Sequence, residues 1–196
     1  EANDPEAVEF LTSQGPEIVK KILIDDIRVP FDLKAEELDF TEEGAHSIHR
    51  IVHCRDHTGA TIEDHVYHRV RQCPNIRFLF EHTVIKLLAP HLHSLNFRDA
   101  YKPSMCTGAF VLDQKTGKVL KVFSAETILA TGGVGQLYLY TTNCQYARGD
   151  GLAFASELGA KLTNLEYIQF HPTTLFSPKA ERFLITEAMR GEGGIL

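Results

Sequence analysis

The stretch "GAFVLDQKTGKVLKVFSAETILATGG", residues 108–133, carries two different strand signals in one run. In its first half Ala109 and Val111 alternate, "DQKTGK" supplies a turn, and Val119, Val122 and Phe123 lie on the return. That pattern predicts a β-hairpin, because alternate side chains of a strand point to opposite faces and a polar, glycine-containing turn reverses the chain. The second half, "ETILA" before Thr131-Gly132-Gly133, is short and largely apolar. It predicts a buried parallel strand that delivers a glycine turn at its carboxyl end.

Helical patterns lie on either side. Asp4-Pro5 reads as an N-cap followed by proline at the first helical position, with periodicity through Leu23 that breaks near Gly15-Pro16. "VPFDLKAEELDFTEEGAH" reads as a polar, irregular connection. Thr61 and Asp64 form a loose capping box, and Ile62, Val66 and Val70 predict a helix over 61–73 that Pro74 ends. "NIRFLFEHTVIKLLA" has the β-branched and aromatic content of one long strand or two. "GDGLAFASELGAKL" predicts a helix with Asp150 at its mouth and Gly159 ending it. "LEYIQFHPTTLF" reads as extended up to Pro172, and "LITEAMRGEGG" opens a last helix. Strands alternating with helices make the chain α/β, with a hairpin inserted.

Bulk properties narrow the function. The 196 residues allow one domain or parts of two. A net charge of -6 argues against a general nucleic-acid binder, whose footprint would be basic. No run of about 18 apolar residues exists to span a membrane, and "EANDPEAVEF" has no apolar core of an export signal. Cys54, Cys73, Cys106 and Cys144 are widely spaced, with no Cys-x-x-Cys pair. They read as thiols of a reducing, cytoplasmic protein. Both ends look cut, which suggests a piece of a longer chain.

Several motifs could carry chemistry. "LATGGVGQLY" ends an apolar run in two glycines, which lets a ligand approach the backbone, though a plain tight turn has the same signature. Gln169 and His171 alternate with Phe170, so both polar side chains share one face and suit a carboxylate or carbonyl oxygen. Glu187 and Arg190 are three apart on a helix, an exposed ion pair by default and a proton relay if buried beside a substrate. "HSIHRIVHCRDH", residues 46–57, offers histidines at metal-like spacing if helical. As extended chain the same histidines point to opposite faces, and no metal is expected.

The linked order "ATGG…YLYTTN…GDG…LEYIQFHPTTL…FLITEAMRGEGG" resembles the flavoprotein family of succinate dehydrogenase, fumarate reductase and L-aspartate oxidase. "EEGAHSIHRIVHCRDHTGATIEDHV" looks like the L-aspartate oxidase branch, with Gly44-Ala45-His46-Ser47 where that branch shows Gly-Gly-His-Ser. The resemblance implies a glutathione-reductase-type FAD-binding domain with an inserted hairpin or meander over 1–163, and the start of an α+β capping domain over 164–196. It implies non-covalently bound FAD and oxidation of L-aspartate to iminoaspartate, with hydride passing to the flavin and oxygen or fumarate as acceptor. Quinolinate and NAD biosynthesis, with quinolinate synthase downstream, would follow.

Residue by residue, the resemblance assigns substrate contacts to Glu43, Gln169, His171 and Thr186, with Glu43 facing the substrate ammonium. It assigns a proton relay to Glu187 and Arg190, the principal catalytic arginine lying outside these residues. FAD contacts fall on Thr83 and Val84, on Ala130, Thr131, Gly132 and Gly133, and on Asp150. The glycine-rich Gly-x-Gly-x-x-Gly fingerprint is absent from the sequence, so these residues alone are expected to hold FAD poorly. A succinate dehydrogenase or fumarate reductase flavoprotein, and a non-catalytic module without flavin, stay open as alternatives.

Overall fold

The computed structural model describes residues 3–42, 46–171, 173–175, 177, 183–185, 189 and 194. The chain forms two compact units, Glu1–Arg77 with Thr186–Leu196, and Phe78–Ile185.

The first unit opens on α1 (Pro5–Ile18), capped as its sequence predicts: the Asp4 carboxylate accepts from Glu6 N–H at 3.0 Å and Pro5 occupies the first turn. The expected break at Gly15-Pro16 does not occur. Pro16 cannot donate to the preceding turn, but the Val19 N–H reaches back to both Gly15 and Pro16 carbonyls, and the helix widens into a π-helix over Val19–Asp26. That helix hands the chain to Val29 and Phe31, which with Cys54 form a buried cluster against Leu23, Ile27, Leu38, Val52 and Ile62.

The supposedly irregular connection holds short strands. β1 (Leu33–Lys34) pairs antiparallel with β2 (Glu37–Leu38) around Ala35 and Glu36, both at positive φ as a type I′ turn requires. β3 (Phe40–Thr41) pairs with β4 (Ile51–Val52). Helix α2 (Thr58–Arg71) starts earlier than the sequence predicts. The capping-box reading fails because Thr61 lies inside the helix, its hydroxyl donating to the His57 carbonyl at 3.2 Å.

The run 75–89 yields one strand, β5 (His82–Leu88), which lies in the second unit and is followed by a short helix α3 (Pro90–His93). The hairpin forms as predicted: β6 (Gly108–Asp113) and β7 (Val119–Phe123) pair from Gly108↔Phe123 to Leu112↔Val119. β6 also pairs with β5, giving the antiparallel order β5-β6-β7 with a register shift between Val84 and Lys86. Leu87, Leu88 and Val111 are buried there.

The expected parallel strand at "ETILA" is not formed. Residues 126–130 carry no strand assignment, and Ile128 is 91% exposed. A buried strand needs hydrogen-bonded neighbours, and among the described residues every strand pair is antiparallel and none includes this run. Helix α4 (Asp150–Glu157) ends at Gly159 (φ +81), whose N–H bonds the Ser156 carbonyl while Ala160 N–H bonds that of Ala155. β8 (Thr174–Leu175) pairs with β9 (Phe183–Leu184). The last predicted helix lies largely outside the described residues.

Candidate functional site

Two cavities in the 78–185 unit gather six of the residues singled out from sequence. The larger, about 670 Å³, is lined by Thr83 and Val84 from β5, Thr131 from the extended run, and Asp150 from the start of α4. Each arrives by a local cause. Thr83 is held by Gln114, whose Nε2 donates to its hydroxyl at 2.6 Å across the hairpin end. The neighbouring turn is fixed by the Asp113 carboxylate, which accepts from the Thr116 hydroxyl (2.7 Å) and the Lys115 N–H (2.9 Å). The Thr116 hydroxyl bond, then the backbone N–H groups, hold the Asp113 carboxyl below its ordinary pKa.

Thr131 meets α4 closely because residue 151 is glycine: a Cβ there would collide with the Thr131 hydroxyl. Asp150 is not the N-cap the sequence suggests. Gly149, at φ +81, takes the cap position, a conformation that glycine adopts without cost, and Asp150 occupies the first helical turn. Its carboxylate instead meets the Arg148 guanidinium at 3.2 Å. Ala130, Gly132 and Gly133 flank Thr131 but are not on the cavity wall. Gly132 has φ +74 with open space where a Cβ would point, and the Gly133 carbonyl accepts from Gly149 N–H at 3.1 Å.

The smaller cavity, about 340 Å³, is lined by Gln169 and His171. Ile168 and Phe170 line it as well and 168–171 form no strand, so the cavity wall does not follow the expected alternation. His171 Nδ1 lies 3.0 Å from the Thr173 carbonyl and 3.2 Å from its N–H, so the backbone of Thr173 fixes the ring. Phe170 packs edge-on against Tyr138, their centroids 5.0 Å apart. Glu43, Thr186, Glu187 and Arg190 lie outside the described residues.

Sequence reasoning passed over Gln114, Gln145 and Arg148 in the larger cavity and Tyr138 and Asn143 in the smaller. Arg148 stood beside Asp150, and Asn143 within the quoted "YTTN", so the signal for both was adjacency to a chosen motif. The histidine-rich stretch disperses. His49 Nδ1 meets the Phe40 carbonyl (3.0 Å), His53 lies 3.2 Å from Asp32, and His57 2.9 Å from Asp56. Among the described residues no group of three or more His, Cys, Asp or Glu side chains could hold a metal.

The FAD binding domain family matches residues 1–196, the whole chain. The chain belongs to that FAD-binding family. The chain is 40% identical to L-aspartate oxidase 1 of Ralstonia nicotianae over 98% of its own length and 35% of the relative's. It is 38% identical to L-aspartate oxidase of Pseudomonas aeruginosa over 97% of its length and 34% of the relative's. Among solved structures, an E. coli quinol fumarate reductase matches with a TM-score of 0.84 and 25% identity, over 97% of this chain and 30% of that one. The chain thus spans about a third of the length of the relatives it matches.

The larger cavity fits part of the cofactor that names the family. Arg148, Gln145 and Gln114 offer donors for a phosphate or carbonyl oxygen, and the Glu81 and Asp150 carboxylates suit ribose hydroxyls. Among the described residues no helix is long and apolar enough to cross a membrane.

Proposed function

We propose that these residues form the middle third of an FAD-dependent L-aspartate oxidase. The observation that carries this reading is the separate convergence of the two residue sets. Thr83, Val84, Thr131 and Asp150 meet at one cavity, and Gln169 with His171 at another in the same unit. The identity to curated L-aspartate oxidases over nearly all of the chain supports it.

In this reading Thr83, Val84, Thr131 and Asp150, with Ala130, Gly132 and Gly133 beside them, hold FAD non-covalently. Bound FAD supplies the hydride acceptor. Gln169 donates from its amide to a substrate carboxylate, and the imidazole of His171, oriented by Thr173, adds a second donor. Thr186 completes the carboxylate contacts. Glu43 faces the substrate ammonium, a charge that plain dicarboxylates lack, and so selects the amino acid. Glu187 and Arg190 pass protons towards a catalytic arginine supplied by the rest of the enzyme. The product is iminoaspartate, oxygen or fumarate the final acceptor, and quinolinate synthase the downstream consumer in cytoplasmic NAD biosynthesis. Residues 1–163 belong to a glutathione-reductase-type FAD domain and 164–196 to the capping domain.

The test uses a full-length enzyme carrying these residues. Glu43→Gln is expected to lower aspartate oxidation far more than fumarate reduction, and His171→Ala to raise the aspartate KM while flavin content holds. Equal losses of both activities in Glu43→Gln would point to the succinate or fumarate branch. Lost flavin with unchanged KM in His171→Ala would remove that residue from the substrate site.

A further inference from the structure

The loop between Gly133 and Gly149 borders both cavities. Gln145, Tyr146 and Arg148 on its second limb line the larger, while Tyr138, Tyr140 and Asn143 on its first limb line the smaller. Apart from one short turn of 3-10 helix at Gly135–Leu137 it has no regular structure. Such a loop has many conformations to lose, so its shape needs specific bonds.

Gln136 supplies three of them. Its backbone N–H donates to the Ala147 carbonyl at 2.9 Å, and its side-chain Nε2 donates to the carbonyls of Asn143 and Cys144, each at 3.1 Å. One amide nitrogen carries two hydrogens, so both are used. The Gly149 N–H to the Gly133 carbonyl, 3.1 Å, closes the loop's ends. Packing is tight at the pinch: Gly135 and Ala147 are buried, and a Cβ at Gly135 would collide with the Asn143 side chain.

We propose that Gln136 is a positioning residue: its side-chain amide clamps loop 133–149 into the form that gives the two cavities a common wall. Affinity on the flavin side and on the substrate side is therefore set together. Only the identity of the two ligands rests on the proposed function; the clamp follows from the bonds themselves.

The experiment compares three variants of the full-length holoenzyme. Gln136→Met keeps the reach and removes both donors. Gln136→Glu keeps the shape and turns a carboxylate towards two carbonyls. Gln136→Lys restores donors at similar reach. In Gln136→Met, amide hydrogen exchange over 138–147 should accelerate about tenfold, the loss expected of two ordinary hydrogen bonds. The FAD dissociation constant and the aspartate KM should rise by a similar factor, with kcat at saturation changed little. Gln136→Glu should be worse on all three, and Gln136→Lys should return them towards wild type.

Unchanged exchange in Gln136→Met would overturn the clamp, as would a lysine variant no better than methionine. A shift in only one of the two affinities would overturn the common wall. Failure of the aspartate reading looks different: the wild type would not turn over aspartate, and the exchange and FAD arms would still decide the clamp.

Discussion

Gly108→Ala strikes the hairpin that holds Thr83, Val84 and Gln114 at the larger cavity. Gly108 begins β6 and is paired on both sides, with Leu88 and with Phe123. Its φ is +136, and a Cβ would collide with the Val122 carbonyl oxygen and stand 2.9 Å from the Phe123 Cα. Two costs add. An L side chain at such a φ costs about 1–2 kcal/mol, and forcing atoms into a packed site about 1–3 kcal/mol. Backbone rather than a flexible side chain blocks the way, so β7 must move away and the pairing at that end of the sheet is lost. The sum is about 3 kcal/mol.

Gly117→Ala is the matched control. It lies in the same hairpin at φ +68, yet nothing stands within 4 Å of its Cβ position. Only the conformational cost remains, about 1 kcal/mol. Urea unfolding followed by far-ultraviolet circular dichroism reads both, since the chain has no tryptophan. With a slope of about 1–3 kcal/mol per molar urea, Gly108→Ala should lower the midpoint by about 1–3 M and Gly117→Ala by about a third of that. Equal shifts in the two variants would refute the collision.

The hairpin turn should also show in the acid limb of stability. The folded Asp113 pKa lies below its ordinary value, so its stabilisation is present at neutral pH and is lost as pH falls through the depressed value. Asp113→Asn should lower the urea midpoint near neutrality and flatten its decline on acidification; parallel pH curves for variant and wild type would contradict this. Burial first, then the neighbouring Asp32 charge, raises the Cys54 pKa, against a smaller opposing effect of the Thr61 hydroxyl. The fold thus favours the neutral thiol and loses that stabilisation as pH rises through the thiol range. Iodoacetamide labelling read by mass spectrometry should modify exposed Cys144 first and Cys54 only on unfolding; comparable rates would show that Cys54 is open.

Local signals were legible wherever one short segment contains its own hydrogen-bond partners. The Asp4-Pro5 cap, the 108–123 hairpin and the Gly159 helix end need only residues within reach along the chain, and all three formed. Readings failed where a partner had to come from elsewhere. "ETILA" has the composition of a buried strand, but composition does not supply the neighbour a ladder requires. Pro16 looks like a breaker, yet the bonds of Val19 across it keep the helix running. Thr61 and Asp150 have capping chemistry but sit inside their helices, because caps depend on where the backbone turns and not on residue type alone.

For the site, sequence by itself determined the family, since the ordered motifs from Ala130 to Gly194 were enough. Tertiary structure decided which residues meet. It brought Thr83 to Asp150 across nearly seventy residues, through the β5–β6 pairing and the fit of Gly151 against Thr131. It showed the Arg148 guanidinium against Asp150 two residues on, and the Gln136 amide reaching the Asn143 and Cys144 carbonyls across its own loop. Motifs record chemistry along the chain, whereas a cavity wall is defined by hydrogen bonds and close approaches that chain order does not encode.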